Sequence, residues 1–208
     1  MRLLEAFEVF EKLKASVFST NDAAALLSMS RASASQLLLR LAASGHLAKL
    51  KRGLWGLKAK LEPFLIPSYL TSPFPSYISL QSALYHHGMI SQIPTVLYAI
   101  SLGRTRQYQT SVVDVSIHHV DVNFFHDYVT DNQSGIKIAT PEKALLDFFY
   151  LSDTQTNLFS SLPEIELPPN FQKTRALRLI KTIPSLKKRT LVLKRFKEKF
   201  NKLVIRQR

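Results

Sequence analysis

Cysteine is absent from the 208 residues. That removes disulfides, thiolate zinc sites and cysteine nucleophiles, and it fits a reducing cytoplasm. Long apolar runs are absent too. No stretch approaches the ~20 residues a membrane span needs, and the opening "MRLLEAFEVFEKLK" mixes charge into its apolar positions, unlike a signal peptide. Only six glycines occur and they do not cluster, so there is no phosphate-binding glycine loop. The sequence has no Gly-x-Ser-x-Gly elbow and no His-Glu-x-x-His pair. Acids are scarce, with 15 Asp+Glu against 28 Lys+Arg and a net charge of +13.

That charge is uneven. Residues 1–60 carry 10 basic and 4 acidic side chains, 61–170 carry 4 and 10, and 171–208 carry 14 and 1. Two basic ends flank an acidic middle. Basic segments this dense favour polyanions, nucleic acid first and an acidic protein second.

The first 60 residues read as helix, helix, short turn, helix, hairpin. Leu3, Phe7, Phe10 and Leu13 recur at helical spacing. "STNDAAALLSMS" opens with capping residues, Ser28–Ser30 breaks the chain, and Ser30 caps "RASASQLLLRLAASG", which Gly45 ends. Apolar residues then alternate around a Lys51-Arg52-Gly53 turn. This order predicts a winged helix-turn-helix, with the third helix suited to a DNA major groove. Ala34, Leu37, Leu38 and Leu41 would face a small core. Ser30, Arg31, Ser33, Gln36 and Arg40 would face DNA, arginine and glutamine being able to make paired contacts to guanine and adenine edges. Lys49, Lys51 and Arg52 would meet phosphates or the minor groove. A winged helix used for protein contacts is the alternative.

The stretch 61–77 holds Pro63, Pro67, Pro73 and Pro75, which disfavour a continuous helix and predict an extended linker. Residues 78–208 then read as a mixed α/β (α+β) domain. A helix is expected from Ser79 to His87, strands over 95–101, 111–120 and 135–140, and a helix over "TPEKALLDFFYL" capped by Thr140 with Pro141 in its first turn. Two basic helices broken near Pro184 end the chain. In the second, Leu186, Leu193, Phe196, Phe200 and Leu203 form the apolar stripe. Its outer residues, Lys187, Lys188 and Arg189 among them, are candidates for an acidic partner or phosphate.

Four stretches in order, "LKRGLWGL", "YISLQSALYHHGMISQIPTVLYAIS", "GRTRQYQT" and "IKIATPEKALLDFFYL", resemble the AbiEi-type antitoxins of bacterial abortive-infection toxin–antitoxin systems. The resemblance covers about residues 5–150. It implies an N-terminal winged helix that binds inverted repeats upstream of its own operon and represses it. It also implies a C-terminal domain carrying antitoxin activity against a nucleotidyltransferase toxin, which such antitoxins need not bind stably. No cofactor and no membrane association are expected.

His86 and His87 are adjacent on a helix, so both cannot easily face one metal, and His118 and His119 point to opposite faces of a strand. The expected role of His86-His87 is a helix end where imidazolium suits the negative pole. Arg104 and Arg106 are the only Lys or Arg between Lys60 and Lys137. They would either grip phosphate or a carboxylate of a partner, or pair with Asp114 or Asp121. Asp114, Asp121, Asp127, Glu142 and Lys143 could be imagined as a metal-dependent nuclease site, but the carboxylate–lysine strand pattern is missing. A DNA-binding repressor and antitoxin is therefore expected, with a protein-interaction module as the alternative and a winged-helix-targeted nuclease behind both.

Overall fold

Helix α1 (Leu3–Glu11) buries Ala6 and Phe10. In the computed structural model, which describes residues 3–152 and 164–206, it packs on α3 (Arg31–Ala43), and α2 (Thr20–Leu26) packs on α3 as well. Ser19 starts α2 through a reciprocal capping box with Asp22. Ser30 starts α3, accepting from the Ser33 N–H at 3.1 Å. Strands β1 (Val17–Ser19), β2 (Leu47–Lys51) and β3 (Leu54–Leu57) form an antiparallel sheet in the order β1-β3-β2. Gly53, at φ +78, supplies the left-handed residue of the tight β2–β3 turn. The small core joins Ala6, Phe10, Leu38, Leu41, Leu47 and Trp55, and the Trp55 indole N–H donates to Thr20 Oγ1 at 2.9 Å.

Strand β2 has a second buried face. Ala48 and Leu50 point away from the small core and join a larger one with Ile66 and Leu70. The stretch 61–77 is accordingly packed structure. It holds α4 (Ile66–Thr71) and the start of β4 (Ser76–Ile78). This corrects the expectation of an extended linker. Pro67 sits in the first turn of α4, where its missing N–H has no intrahelical partner to lose.

The larger core lies against a six-stranded mixed sheet in the order β6-β7-β5-β4-β9-β8. Its remaining strands are β5 (Val96–Ser101), β6 (Arg106–Tyr108), β7 (Asp114–His119), β8 (Tyr128–Thr130) and β9 (Lys137–Ala139). The pairs β4–β9 and β5–β7 are parallel and the other three antiparallel. Helix α5 (Leu80–His86) packs on α6 (Pro141–Leu151), as do α7 (Lys173–Lys181) and α8 (Leu186–Arg206). Helix α6 is buried from Glu142 to Leu151, so it is the central post of this half and not a half-solvated helix. On α8, Val192, Phe196 and Phe200 are buried, but Leu186, expected in the apolar stripe, is 72% exposed. It lies in the first turn, ahead of the residues that reach the core. Leu203 lies outside the described side chains.

Ser79 occupies the cap position of α5 but does not cap it. Its hydroxyl donates instead to Asp147 Oδ2 at 2.7 Å.

Candidate nucleic-acid interface

Helix α3 divides cleanly. Ala34, Leu37, Leu38 and Leu41 are buried, while Ser30, Arg31, Ser33, Gln36 and Arg40 are exposed. At about 100° per residue, Ser33, Gln36 and Arg40 form one row along the helix. Arg31 sits roughly 140° round the axis from Gln36, on the first turn, so the expected recognition group is a row of three with the arginine on a different face of the helix. The hydroxyl of Ser30 is engaged as the helix cap and lies 2.9 Å from Ser33 Oγ. No acidic residue lies in α3. Its outward face therefore offers donors and positive charge.

The β2–β3 hairpin presents Lys49 and Arg52 as exposed side chains. Lys51 behaves differently from the expectation. Its Nζ donates to the Leu70 carbonyl at 2.9 Å, and burial, reinforced by the nearby Arg106 charge, holds its pKa below the ordinary lysine value. The backbone of the hairpin is tied as well. Lys49 N–H donates to Ser111 Oγ at 3.0 Å, and Ser111 N–H donates to the Lys49 carbonyl at 3.3 Å. These bonds and the buried Ala48 and Leu50 seat the hairpin on the larger half.

Residues 5–58 match a family model described as transcriptional regulator, AbiEi antitoxin. The chain is similar to that family over these residues. A comparison with curated protein sequences found no match. The AbiEi match ends where strand β3 does, and its three helices are consistent with a helix-turn-helix. No helix among the described residues is long and apolar enough to cross a membrane.

Outside the AbiEi-matched region, Arg104 and Arg106 are both exposed at the β6 edge of the sheet. Neither forms an ion pair among the described residues, so the expected partners Asp114 and Asp121 do not neutralise them. The structure instead brings them to Lys51, around one recess. The trio Lys187, Lys188 and Arg189 is not one surface. Lys187 is exposed, but Lys188 Nζ stacks 4.0 Å from the Tyr150 ring centroid. Both Arg189 Nε and Nη2 donate to the Ile183 carbonyl, at 2.9 and 2.7 Å. Two of the three are thus engaged, Lys188 joining α8 to α6 and Arg189 fastening it to the connection that follows α7.

The paired histidines close α5. His87 Nε2 lies 2.7 Å from the Ala139 carbonyl and must be its donor, tying α5 to β9. Burial and the adjacent His87 lower the pKa of His86, so its surroundings favour neutral imidazole and not the imidazolium expected at a helix end. A cleft of about 950 Å3 adjoins them, bounded by β8–β9, α6 and α7. Its stronger polar groups are already bonded internally. Thr140 donates to Asp127 at 2.8 Å, Arg175 to Asp127 at 2.7 Å, and Glu142 accepts from the Gln172 N–H at 2.6 Å.

The imagined nuclease group is dispersed in the same way. Asp121 caps the turn at Val122–Phe124, accepting from Asn123 N–H at 2.9 Å, and no group of three His, Asp or Glu among the described residues could hold a metal ion. What sequence reading missed is the buried partner of Lys143. Lys143 and Asp147, both 0% exposed, form an ion pair one helical turn apart. Asp147 Oδ2 also accepts from Ser79 Oγ and from the Tyr77 hydroxyl, the latter at 3.1 Å, and Lys143 Nζ lies 3.3 Å from the Phe124 ring centroid. Burial lowers the Lys143 pKa and raises that of Asp147, and their mutual attraction opposes both shifts. The i, i+4 spacing in "EKALLD" was the available signal. The pair bolts the central helix to β4 and is out of reach of any substrate.

Proposed function

We propose that the protein is a sequence-specific DNA-binding transcriptional repressor, acting in the cytoplasm as the antitoxin of an AbiEi-like toxin–antitoxin system. The observation that carries this reading is α3, which presents Ser33, Gln36 and Arg40 in one exposed row and an exposed Arg31 on its first turn, without an acid, while Ala34, Leu37, Leu38 and Leu41 are buried. In the proposal the N-terminal half is a winged helix-turn-helix and α3 enters the major groove. Gln36 and Arg40 reach base edges, and Arg31 reaches a base or the adjoining strand. The β2–β3 hairpin is the wing, with Lys49 and Arg52 on flanking phosphates. Lys51 fastens the wing to the other half. The DNA partner is the upstream region of its own operon, read as inverted repeats. The protein partner is a nucleotidyltransferase toxin, opposed directly or indirectly. No cofactor and no catalytic step is assigned.

Fluorescence anisotropy tests this at near-physiological salt. The chain's own upstream DNA is compared with a shuffled duplex of equal length, for wild type, Arg31→Ala and Gln36→Ala. A native-site preference of ~10³ or more is expected, with each substitution reducing it ~5-fold or more. Equal affinity for both duplexes would end the repressor reading. A second reading, docking of an acidic protein, is favoured by one observation: Lys181, Lys187, Lys194 and Lys197 are all exposed on α7, α8. Capture of a toxin by wild type, lost on reversing those four charges, would support it.

A further inference from the structure

Arg104, Arg106, Lys51 and the ring of Phe74 face one recess of about 340 Å3, and among the described residues no carboxylate lines it. Its volume lies within the range of small-molecule sites. Gathering like charges without an intervening anion is Coulombically unfavourable; burial first, and the Arg106 charge second, hold the Lys51 pKa down. A bound anion removes that repulsion.

The walls are ordered by their own hydrogen bonds. Gly103 N–H donates to Ser101 Oγ at 3.0 Å, and Ser101 Oγ donates to the Pro75 carbonyl at 2.8 Å. The Gly103 carbonyl lies 3.2 Å from His119 Nδ1, and His119 N–H donates to Thr105 Oγ1 at 3.0 Å. A Cβ on Gly103 would stand 3.2 Å from the Phe74 side chain, so the arginine loop and the aromatic ring are in close register. Phe74 is 52% exposed, an apolar face left open beside three cations. Tyr108 also lines the recess. Aromatic faces beside cationic groups are what single nucleotides stack on and pair with.

We propose that this recess is a binding site for a free nucleotide, its phosphate held by Lys51, Arg104 and Arg106 and its base stacked on Phe74. The enclosure by the hairpin on one side and the sheet edge on the other suits one nucleotide unit. The site does not depend on the recognition face of α3.

The test is isothermal titration of the full chain with each of the four ribonucleoside monophosphates, and separately with inorganic phosphate and with the duplex of the chain's own upstream DNA. Wild type, Arg104→Ala, Arg106→Ala and Phe74→Ala are compared after thermal melting shows each folded. One nucleotide is expected per chain. Either arginine change should weaken it ~10-fold or more, as for a lost charge-assisted hydrogen bond. Phe74→Ala should weaken nucleotide ~5-fold or more, as for a lost stacking contact, and leave inorganic phosphate unchanged. Three results would overturn the proposal. One is no nucleotide binding to wild type. A second is equal binding by Arg106→Ala. The third is an Arg106→Ala defect confined to duplex DNA, which would make the recess a flank contact of the DNA interface.

Discussion

Replacing Asp147 with asparagine strands the Lys143 ammonium in a site with no solvent exposure. Asparagine keeps the shape and an acceptor for the Tyr77 and Ser79 hydroxyls, so the loss isolates the charge. Removing one partner of a buried pair costs about 3–5 kcal/mol, a large part of the ~5–15 kcal/mol that holds a domain folded. Urea unfolding followed by far-UV circular dichroism measures it. The cost should also depend on pH. In the variant Lys143 has lost its counter-charge, so its folded-state pKa falls further below the ~10.4 of an unfolded chain. Between those values the unfolded state binds more protons, so stability rises with pH. Part of the deficit at about pH 7 should therefore be recovered near pH 9. The double change Lys143→Met with Asp147→Leu removes both charges and should cost less than Asp147→Asn alone. A cost below about 1 kcal/mol for Asp147→Asn, or one independent of pH, would refute the reasoning.

Other outcomes follow from the same structure. His118, buried beside Ser116, has its pKa lowered from 6.5 to about 4 by desolvation. The unfolded chain takes up that proton first as pH falls, so up to about 3 kcal/mol of stability should be lost between pH 6.5 and 4, and His118→Asn should flatten that slope in denaturant titrations. Ser30→Ala removes the α3 cap and should lower stability by about 1 kcal/mol, against about 2–5 kcal/mol for Leu38→Ala in the small core. Arg189→Ala, losing two donors to Ile183, should cost about 1 kcal/mol. The exposed Lys187→Ala should stay within about 0.5 kcal/mol of wild type in the same melts.

How far the fold was legible depends on element length. Helix α3 announces itself through Ser30, the buried residues at 34, 37, 38 and 41, and Gly45 at φ +81 beyond its end, because a long amphipathic period and its caps are local signals. Strands β1, β4, β6 and β8 have three residues each, too few for an alternating pattern to stand out. They are strands because of the neighbours they pair with. The prolines of 61–77 suggest extended chain, yet Pro67 sits in the first turn of α4, since proline is compatible with that position.

The sequence alone determined the basic ends, the absence of cysteine chemistry, the order of elements in residues 1–60 and the polar and apolar faces of α3. All of these follow from composition or from contacts within a few residues. Tertiary structure decided what each charge does. Lys51 is drawn onto Leu70, and Lys188 and Arg189 are turned inward onto Tyr150 and Ile183. Lys143 is buried against Asp147, while Arg104 and Arg106 have no ion pair among the described residues and stand beside the hairpin. A charge's role rests on its solvation and on which opposite charge lies within a few ångströms. For side chains dozens of residues apart, only the packed chain sets those distances.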